Sequence, residues 1–318
     1  MLTHSDLPDF KDAYDYPHID LTRPPDQDAQ HLTHPLHHRY SGSRDYGPEV
    51  DAAKYAPAYL VNADGENDRI FSSEDLKQWP AGGKAETVFL GSNRGRLVKL
   101  FSNPYHSKHL YNMGLRPDTI FACGFKYLFE PNKAVKTMFQ HYMDELQASP
   151  TALRLGINVR AGDAVFLGQK VGEESAKNYI SCAIEVEDAR KAANQSVVWY
   201  VISESLELRK AIKRSHETGR IIVTDTSTVI QHTNCHQFGS VDCAGSVAHN
   251  LRMAAGQLWV FSATDVQVVT HESGFGRVGA FLSPNFHHIY SIGGEPRSCG
   301  LWDYDRVEKL ASQWAGIR

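Results

Sequence analysis

The sequence predicts an α/β protein whose carboxyl-terminal half, residues 151–318, is a doubly wound parallel sheet. Two observations carry this. Strand signals and helix-spaced segments alternate through five successive units in that half, and right-handed crossovers between such units produce parallel strands with helices on both faces. The composition fits as well, because 42% hydrophobic and 22% charged residues over 318 positions is the balance of a globular chain with a sizeable core.

Taken in order, residues 1–84 are rich in Pro, Asp, His and Tyr and show little periodicity, so they are expected to form a polar, partly irregular arm. Within it "HLTHPLHHRY" places His31, His34, His37 and His38 close together. That cluster reads as part of the polar arm or as a metal tract. Regular structure is expected to begin at Glu86, where "ETVFL" is a strand, "GSNRG" a glycine loop and "RLVKLF" a helix. A second apolar run covers 119–129. In "AVKTMFQHYMDEL", Val135, Met138, Phe139, Tyr142, Met143 and Leu146 then recur at helical spacing. Pro150 closes this short amino-terminal half, 85–150.

The regular half opens with a strand at 155–159 and a helix near 175–192 that carries Tyr179, Ala183 and Val186 on one face. A strand follows at 197–202, and Ser205 can cap a helix whose inner face holds Leu208, Ala211 and Ile212. The third strand is 221–223. Ser246 can start a helix aligning Val247, Leu251, Ala254 and Leu258, and the fourth strand is 266–269. A short helix at 275–282, a fifth strand in "HHIYSI" and a helix in "DYDRVEKLASQWAGI" complete the chain.

Sheets of this kind bind ligands beyond the carboxyl ends of their strands. That rule singles out Arg160 to Asp163, Ser203 to Ser205, Thr224 to Thr226 and His271 to Arg277. The turn Ser273-Gly274-Phe275-Gly276 leads into a helix, whose first amides and positive dipole end suit a phosphate. An ordinary capped turn fits the same residues. In "NVRAGD", Arg160 offers a forked donor that matches a pair of phosphate oxygens, and Gly162 loosens the turn so that Asp163 can return to the same crevice. A structural Arg–Asp bridge is the alternative. Glu204, Asp225, Glu272, His232 and His271 could activate an acceptor hydroxyl, but each also reads as a turn residue, and none is assigned.

Several classes are excluded. The chain has 33 Lys+Arg against 37 Asp+Glu, a net charge of −4, so it presents no cationic field for nucleic acid or anionic membrane. Residues 1–16 read as neither signal peptide nor anchor, and no apolar run approaches the roughly 20 residues a membrane span needs. There is no Walker loop, no G-x-G-x-x-G after the first strand of either half, no nucleophile elbow and no H-E-x-x-H. No D-x-D stands at a strand end, and a phosphorylated ligand neutralised by Arg160 and backbone amides would need no divalent metal. Five scattered cysteines make no disulfide scaffold. Cys235 and Cys243 are spaced for a bridged loop or are idle thiols, and with His236 and His249 they match no common zinc spacing.

Together "INVRAGD", "WYVISES" and "DVQVVTHESGFGRVGAFLS" resemble the three-part signature of the inverting fucosyltransferase superfamily, which includes the α1,2-, α1,6- and protein O-fucosyltransferases. Upstream, "LGSNRGR" resembles that group's first amino-terminal loop, and "GLRPDTIFACGFKYLFEP" resembles plant and algal members. The likeness covers about 88–292. It implies a GT-B fold of two facing Rossmann-like halves, with GDP-fucose as donor substrate, no cofactor, no metal and a glycan acceptor. Residues 151–318 would be the donor-binding half and 85–150 the acceptor side.

Carried over, the resemblance makes Arg160, Asp163 and Asn93 the catalytic set. Arg160 would stabilise the departing diphosphate, Asp163 would position Arg160, and Asn93 would face the fucose from across the cleft. Asn158, Arg160, Gln257, Asp265, Ser273, Gly274 and Phe275 would bind the nucleotide. Two positions depart from the pattern, with Asn158 standing where many members have histidine and Gln257 where many have a guanine-reading carboxylate. A Golgi or secretory setting is also implied. A non-catalytic binding member of the same fold, or a transferase using another nucleotide sugar, remains the alternative.

Overall fold

A computed structural model of the chain describes residues 10–18, 58–61, 64–78, 87–90, 96–162, 165, 171–230, 247–271 and 273–312. The described strands are β1 (Tyr14–Asp15), β2 (Ala58–Val61), β3 (Thr87–Leu90), β4 (Glu130–Pro131), β5 (Leu153–Asn158), β6 (Val197–Ile202), β7 (Ile221–Val223), β8 (Val266–Thr270) and β9 (Ile289–Ile292). The α-helices are α1 (Asp64–Ser73), α2 (Ser107–Asn112), α3 (Ile120–Leu128), α4 (Lys133–Gln147), α5 (Lys177–Arg190), α6 (Leu206–His216), α7 (Val247–Phe261), α8 (Gly274–Leu282) and α9 (Val307–Ser312). The chain divides into two compact units, one of Met1–Ile19 with Phe121–Val307, the other of Asp20–Ile120 with Glu308–Arg318.

The first unit is built on a parallel sheet in the order β7-β6-β5-β8-β9. Its strands alternate with period two. Leu153, Leu155 and Ile157 share a core with Val197, Trp199, Val201, Val266 and Val268, and with Tyr179, Ala183 and Val186 of α5 and Leu208 and Ile212 of α6. The intervening positions face the other way. There Tyr200 meets Phe261 of α7 at a ring separation of 6.5 Å, and α4 packs on α7 and on β6 and β7. Sheet and helices therefore form three layers, and the strands are apolar on both faces because both are covered.

The helices begin where their caps allow. Ser205 Oγ accepts from Leu208 N at 3.2 Å at the start of α6, and Asn132 Oδ1 accepts from Val135 N at 3.0 Å at the start of α4. In α4 the buried side chains are Val135, Phe139, Met143 and Leu146, four of the six aligned in the sequence. Helix α5 is shorter than the 175–192 expected, because Glu173–Ala176 winds as a 3-10 turn ahead of it.

A disulfide joins Cys182 of α5 to Cys299 beyond β9. The sequence reading found no such pairing, since 117 residues separate the partners. Cys235 and Cys243 lie outside the described residues. Around Cys299 the chain is also tied by polar contacts, with Tyr290 Oη donating to Gly300 O at 2.9 Å and Glu185 Oε2 accepting from Cys299 N at 2.8 Å.

The second unit corrects the expectation that order begins at Glu86. Strands β2 and β3 pair in parallel, Ala58 opposite Thr87 and Val61 opposite Leu90, with α1 between them in sequence. This is a βαβ unit begun inside the polar arm. Ile70 and Phe71 of α1 are buried beside Leu76 and Leu100. "RLVKLF" forms a 3-10 helix (Arg96–Ser102) rather than an α-helix, and Asn103 Nδ2 ties it to α1 by donating to Phe71 O at 3.0 Å and Glu74 O at 2.9 Å. Among the described residues the final helix covers Val307–Ser312. Among the described residues no helix is long and apolar enough to cross a membrane.

Candidate functional site

The chain adds β6 and β7 on one side of β5, then β8 and β9 on the other. Connections leaving β5 and β8 therefore depart to opposite sides, the switch point beyond whose strand ends open α/β sheets bind ligands. Arg160 lies just past β5, and α8 begins just past β8.

Thr270, the last residue of β8, staples the two strand ends together. Its Oγ1 accepts from Arg160 N at 2.8 Å and donates to Asn158 O at 3.1 Å. Tyr179 of α5 also hydrogen-bonds this hydroxyl. The backbone of Arg160 is thus fixed before its side chain is considered.

The Arg160 side chain runs toward β6. Nε stands 3.0 Å from Glu204 Oε1, with the arginine side chain 30% exposed and the glutamate 6%. This contact is an ion pair without hydrogen-bond alignment, since Oε1 makes no directed hydrogen bond. Glu204 Oε2 accepts from Ala161 N at 3.2 Å. Burial raises the Glu204 carboxyl above its ordinary value, against the opposing pull of Arg160 and of the Ala161 and Gly162 amides. Gly162 sits at φ +87°, the left-handed turn that wraps the chain around this carboxylate.

On the β8 side, Ser273 caps α8 with an extended backbone, its Oγ 3.5 Å from Gly276 N. The first-turn amides of Gly274 and Phe275 have no acceptor within the helix and carry its positive dipole end. Gly276 is required by contact, because a Cβ there would stand 2.2 Å from Asn158 Oδ1. His271 Nδ1 and Ser291 Oγ lie 3.1 Å apart at the neighbouring strand end.

Of the residues expected to bind the nucleotide, Arg160, Ser273, Gly274 and Phe275 come together at this edge. Asn158 lies at the same edge but buried under the first turn of α8, its Oδ1 turned toward Gly276 and without a hydrogen-bond partner. Two do not. Gln257 is buried in α7, one turn from the helix end that leads to the amino edge of the sheet. Asp265 precedes β8 on that amino edge, where Arg154 donates to it from N, Nε and Nη2 at 2.9–3.0 Å and Asn285 Nδ2 at 3.2 Å. A carboxylate so occupied holds strands together. Asn93, Asp163, Glu272 and His232 lie outside the described residues.

Asp225, weighed as a base, is also occupied. Its Oδ1 accepts from Ser227 N, Ser227 Oγ and Thr228 N at 2.8–3.0 Å, Tyr142 bonds it from α4, and buried Arg209 stands 3.8 Å from Oδ2. Burial pushes this carboxyl up, but the donors outweigh it and hold it below the ordinary value. Sequence reasoning missed Glu204 as the partner of Arg160. Its position at a strand end is visible in the sequence, whereas its being next to β5 is a matter of strand order. Among the described residues no group of three or more His, Cys, Asp and Glu side chains is placed to hold a metal ion.

No family model matches the sequence, and no curated protein matches it. The structure does match solved proteins. A mutant of the fucosyltransferase FUT1 from Arabidopsis thaliana, in complex with GDP, aligns with 18% identity and a TM-score of 0.58, over 86% of this chain and 60% of that one. An α-1,6-fucosyltransferase, NodZ, soaked with GDP-fucose aligns with 9% identity and a TM-score of 0.40, over 69% of this chain and 57% of that one. The Bradyrhizobium NodZ structure gives 9% and 0.36 over the same shares. The chain thus spans about three fifths of the plant protein's length. A five-stranded parallel sheet with helices on both faces, matched over 86% of the chain, gives this protein the fold of the plant fucosyltransferase FUT1.

Proposed function

We propose that the protein is a glycosyltransferase that moves fucose from GDP-fucose to a glycan or glycoprotein acceptor, with inversion and without a metal. The observation that supports this most is the pairing at the sheet's switch point of Arg160 on one side with the amino-terminal turn of α8 on the other. A guanidinium and a set of helix-terminal amides are complementary to a diphosphate. FUT1, whose fold the chain shares, was solved with GDP.

In this reading the acceptor hydroxyl oxygen attacks the anomeric carbon from the face opposite the nucleotide, the carbon–oxygen bond to the β-phosphate breaks, GDP departs and the hydroxyl proton is lost to solvent. Arg160 and the amides of Gly274 and Phe275 take up the charge that the phosphate gains, stabilisation that grows toward the transition state. Ser273 fixes the turn. Asp163 and Asn93 keep the roles that the resemblance implies. The unit that carries the five-stranded sheet acts as the donor half, and of the 85–150 expected on the acceptor side 85–120 keep that role, since Phe121–Val307 belong with the sheet. The Cys182–Cys299 disulfide supports a secretory setting, because such bonds persist in oxidising compartments.

The test is GDP release from GDP-fucose, with and without a pool of glycan acceptors. Wild-type protein releases GDP, and Arg160→Ala slows release by about 100-fold or more, the scale of losing one preorganised charge-stabilising donor. Release that is absent with GDP-fucose but present with a UDP-sugar would transfer the proposal to another donor, and release from neither would end it.

A further inference from the structure

We propose that Glu204 is the positioning residue of this site, setting the direction in which the Arg160 guanidinium projects over the carboxyl edge of the sheet. The geometry holds whether or not a nucleotide binds there; the purpose assigned to it rests on the donor site proposed above.

The argument starts from flexibility. An arginine at a strand end has a long side chain with many rotamers, and one 30% exposed has room to sample them. A phosphate ligand then has to select one. Glu204 restricts that freedom by charge attraction at the root of the fork, where Nε stands 3.0 Å from Oε1.

The carboxylate can do this because it is itself fixed. It is 7% exposed, stands between buried Ser203 and Ser205, and anchors its second oxygen on Ala161 N at 3.2 Å. The neighbouring backbone is in register. Asn158 pairs with Ile202, and Val159 N donates to Ile202 O at 3.0 Å, which brings Arg160 level with Glu204 on adjacent strand ends. One side chain thus clamps both the amide after Arg160 and the guanidinium of Arg160. Arg160 is fixed from the opposite side by Thr270, so strand ends on both flanks of β5 take part.

Stability alone is a poor reason to keep such a group. Buried ion pairs are often no better than apolar residues of the same size, and here the buried acid is held with its proton affinity raised. A preorganised arginine is what the arrangement gains.

Protein labelled with 15N-arginine provides the test. The Arg160 Nε–Hε resonance, identified by its loss in Arg160→Lys, is compared in wild type, Glu204→Gln and Glu204→Asp, and each is titrated with GDP. The expected result in Glu204→Gln is a shift of that resonance toward the mobile, solvent-exchanging position and a GDP affinity about 10-fold weaker, with the remaining backbone spectrum retained. Glu204→Asp should restore part of both and replaces the glutamine variant if that variant does not fold. An Arg160 resonance unmoved in a folded variant overturns the proposal, whatever happens to affinity. A resonance that moves while GDP affinity stays constant also overturns it. If wild type binds no GDP and the resonance still moves, the clamp stands and the donor reading fails.

Discussion

Glu204 and Asp225 end neighbouring strands and titrate in opposite senses. Burial raises the Glu204 carboxyl, so the native protein holds that proton more tightly than the unfolded chain. Its stabilising contribution is complete below the unfolded pKa and is lost as pH rises through the higher native one. Asp225 is also buried, but its hydrogen bonds from Ser227 and Thr228 prevail, so its contribution is present at neutral pH and lost as pH falls through its depressed native pKa. We therefore expect the stability difference between Glu204→Gln and wild type to move in favour of the variant as pH rises from about 4.3, and then to level off. Urea unfolding at a series of pH values checks this, and a difference constant with pH would place the carboxyl at an ordinary pKa. Arg160 was legible in the sequence because it stands one residue past an apolar run. Glu204 was not, because a sequence shows that two segments end but not that they end side by side. The placement of Asn158 and Asp265 was not legible either: Asn158 is turned under α8, and Asp265 enters its strand at the amino edge.

Elements were legible in proportion to their burial. β6 and β7 match the sequence reading to the residue, because a continuous apolar run has sharp ends. β2 and α1 escaped because they lie in a polar arm where only four residues make the strand and little periodicity marks the helix. "RLVKLF" has apolar residues at helical spacing, yet a 3-10 helix accommodates them over a span this short. The loop beyond β9 depends on a long-range covalent tie. Cys182 and Cys299 close a loop across 117 residues, so replacing both with alanine should lower unfolding free energy by about 2–4 kcal/mol, chiefly through the unfolded chain. Chemical denaturation measures this directly. A loss below about 1 kcal/mol would mean that the polar contacts of Tyr290, Glu185 and Arg297 hold the loop without help.

At the scale of the whole molecule, a chain with net charge −4 has no general attraction for a nucleotide, so binding has to come from local placement. Strand order supplies that placement. Winding outward from β5 in both directions puts one cation and one helix terminus at a single switch point, although 113 positions separate Arg160 from Ser273 in sequence (273 − 160). The most direct measurement is therefore calorimetric titration of GDP and of guanosine into wild type and Arg160→Ala. If the diphosphate is held as described, GDP binds wild type more tightly than guanosine by about 10- to 100-fold, the worth of charge-assisted hydrogen bonds of about 1.5–3 kcal/mol, and Arg160→Ala erases most of that difference. Equal affinity for GDP and guanosine, or a GDP preference that survives Arg160→Ala, would contradict the account.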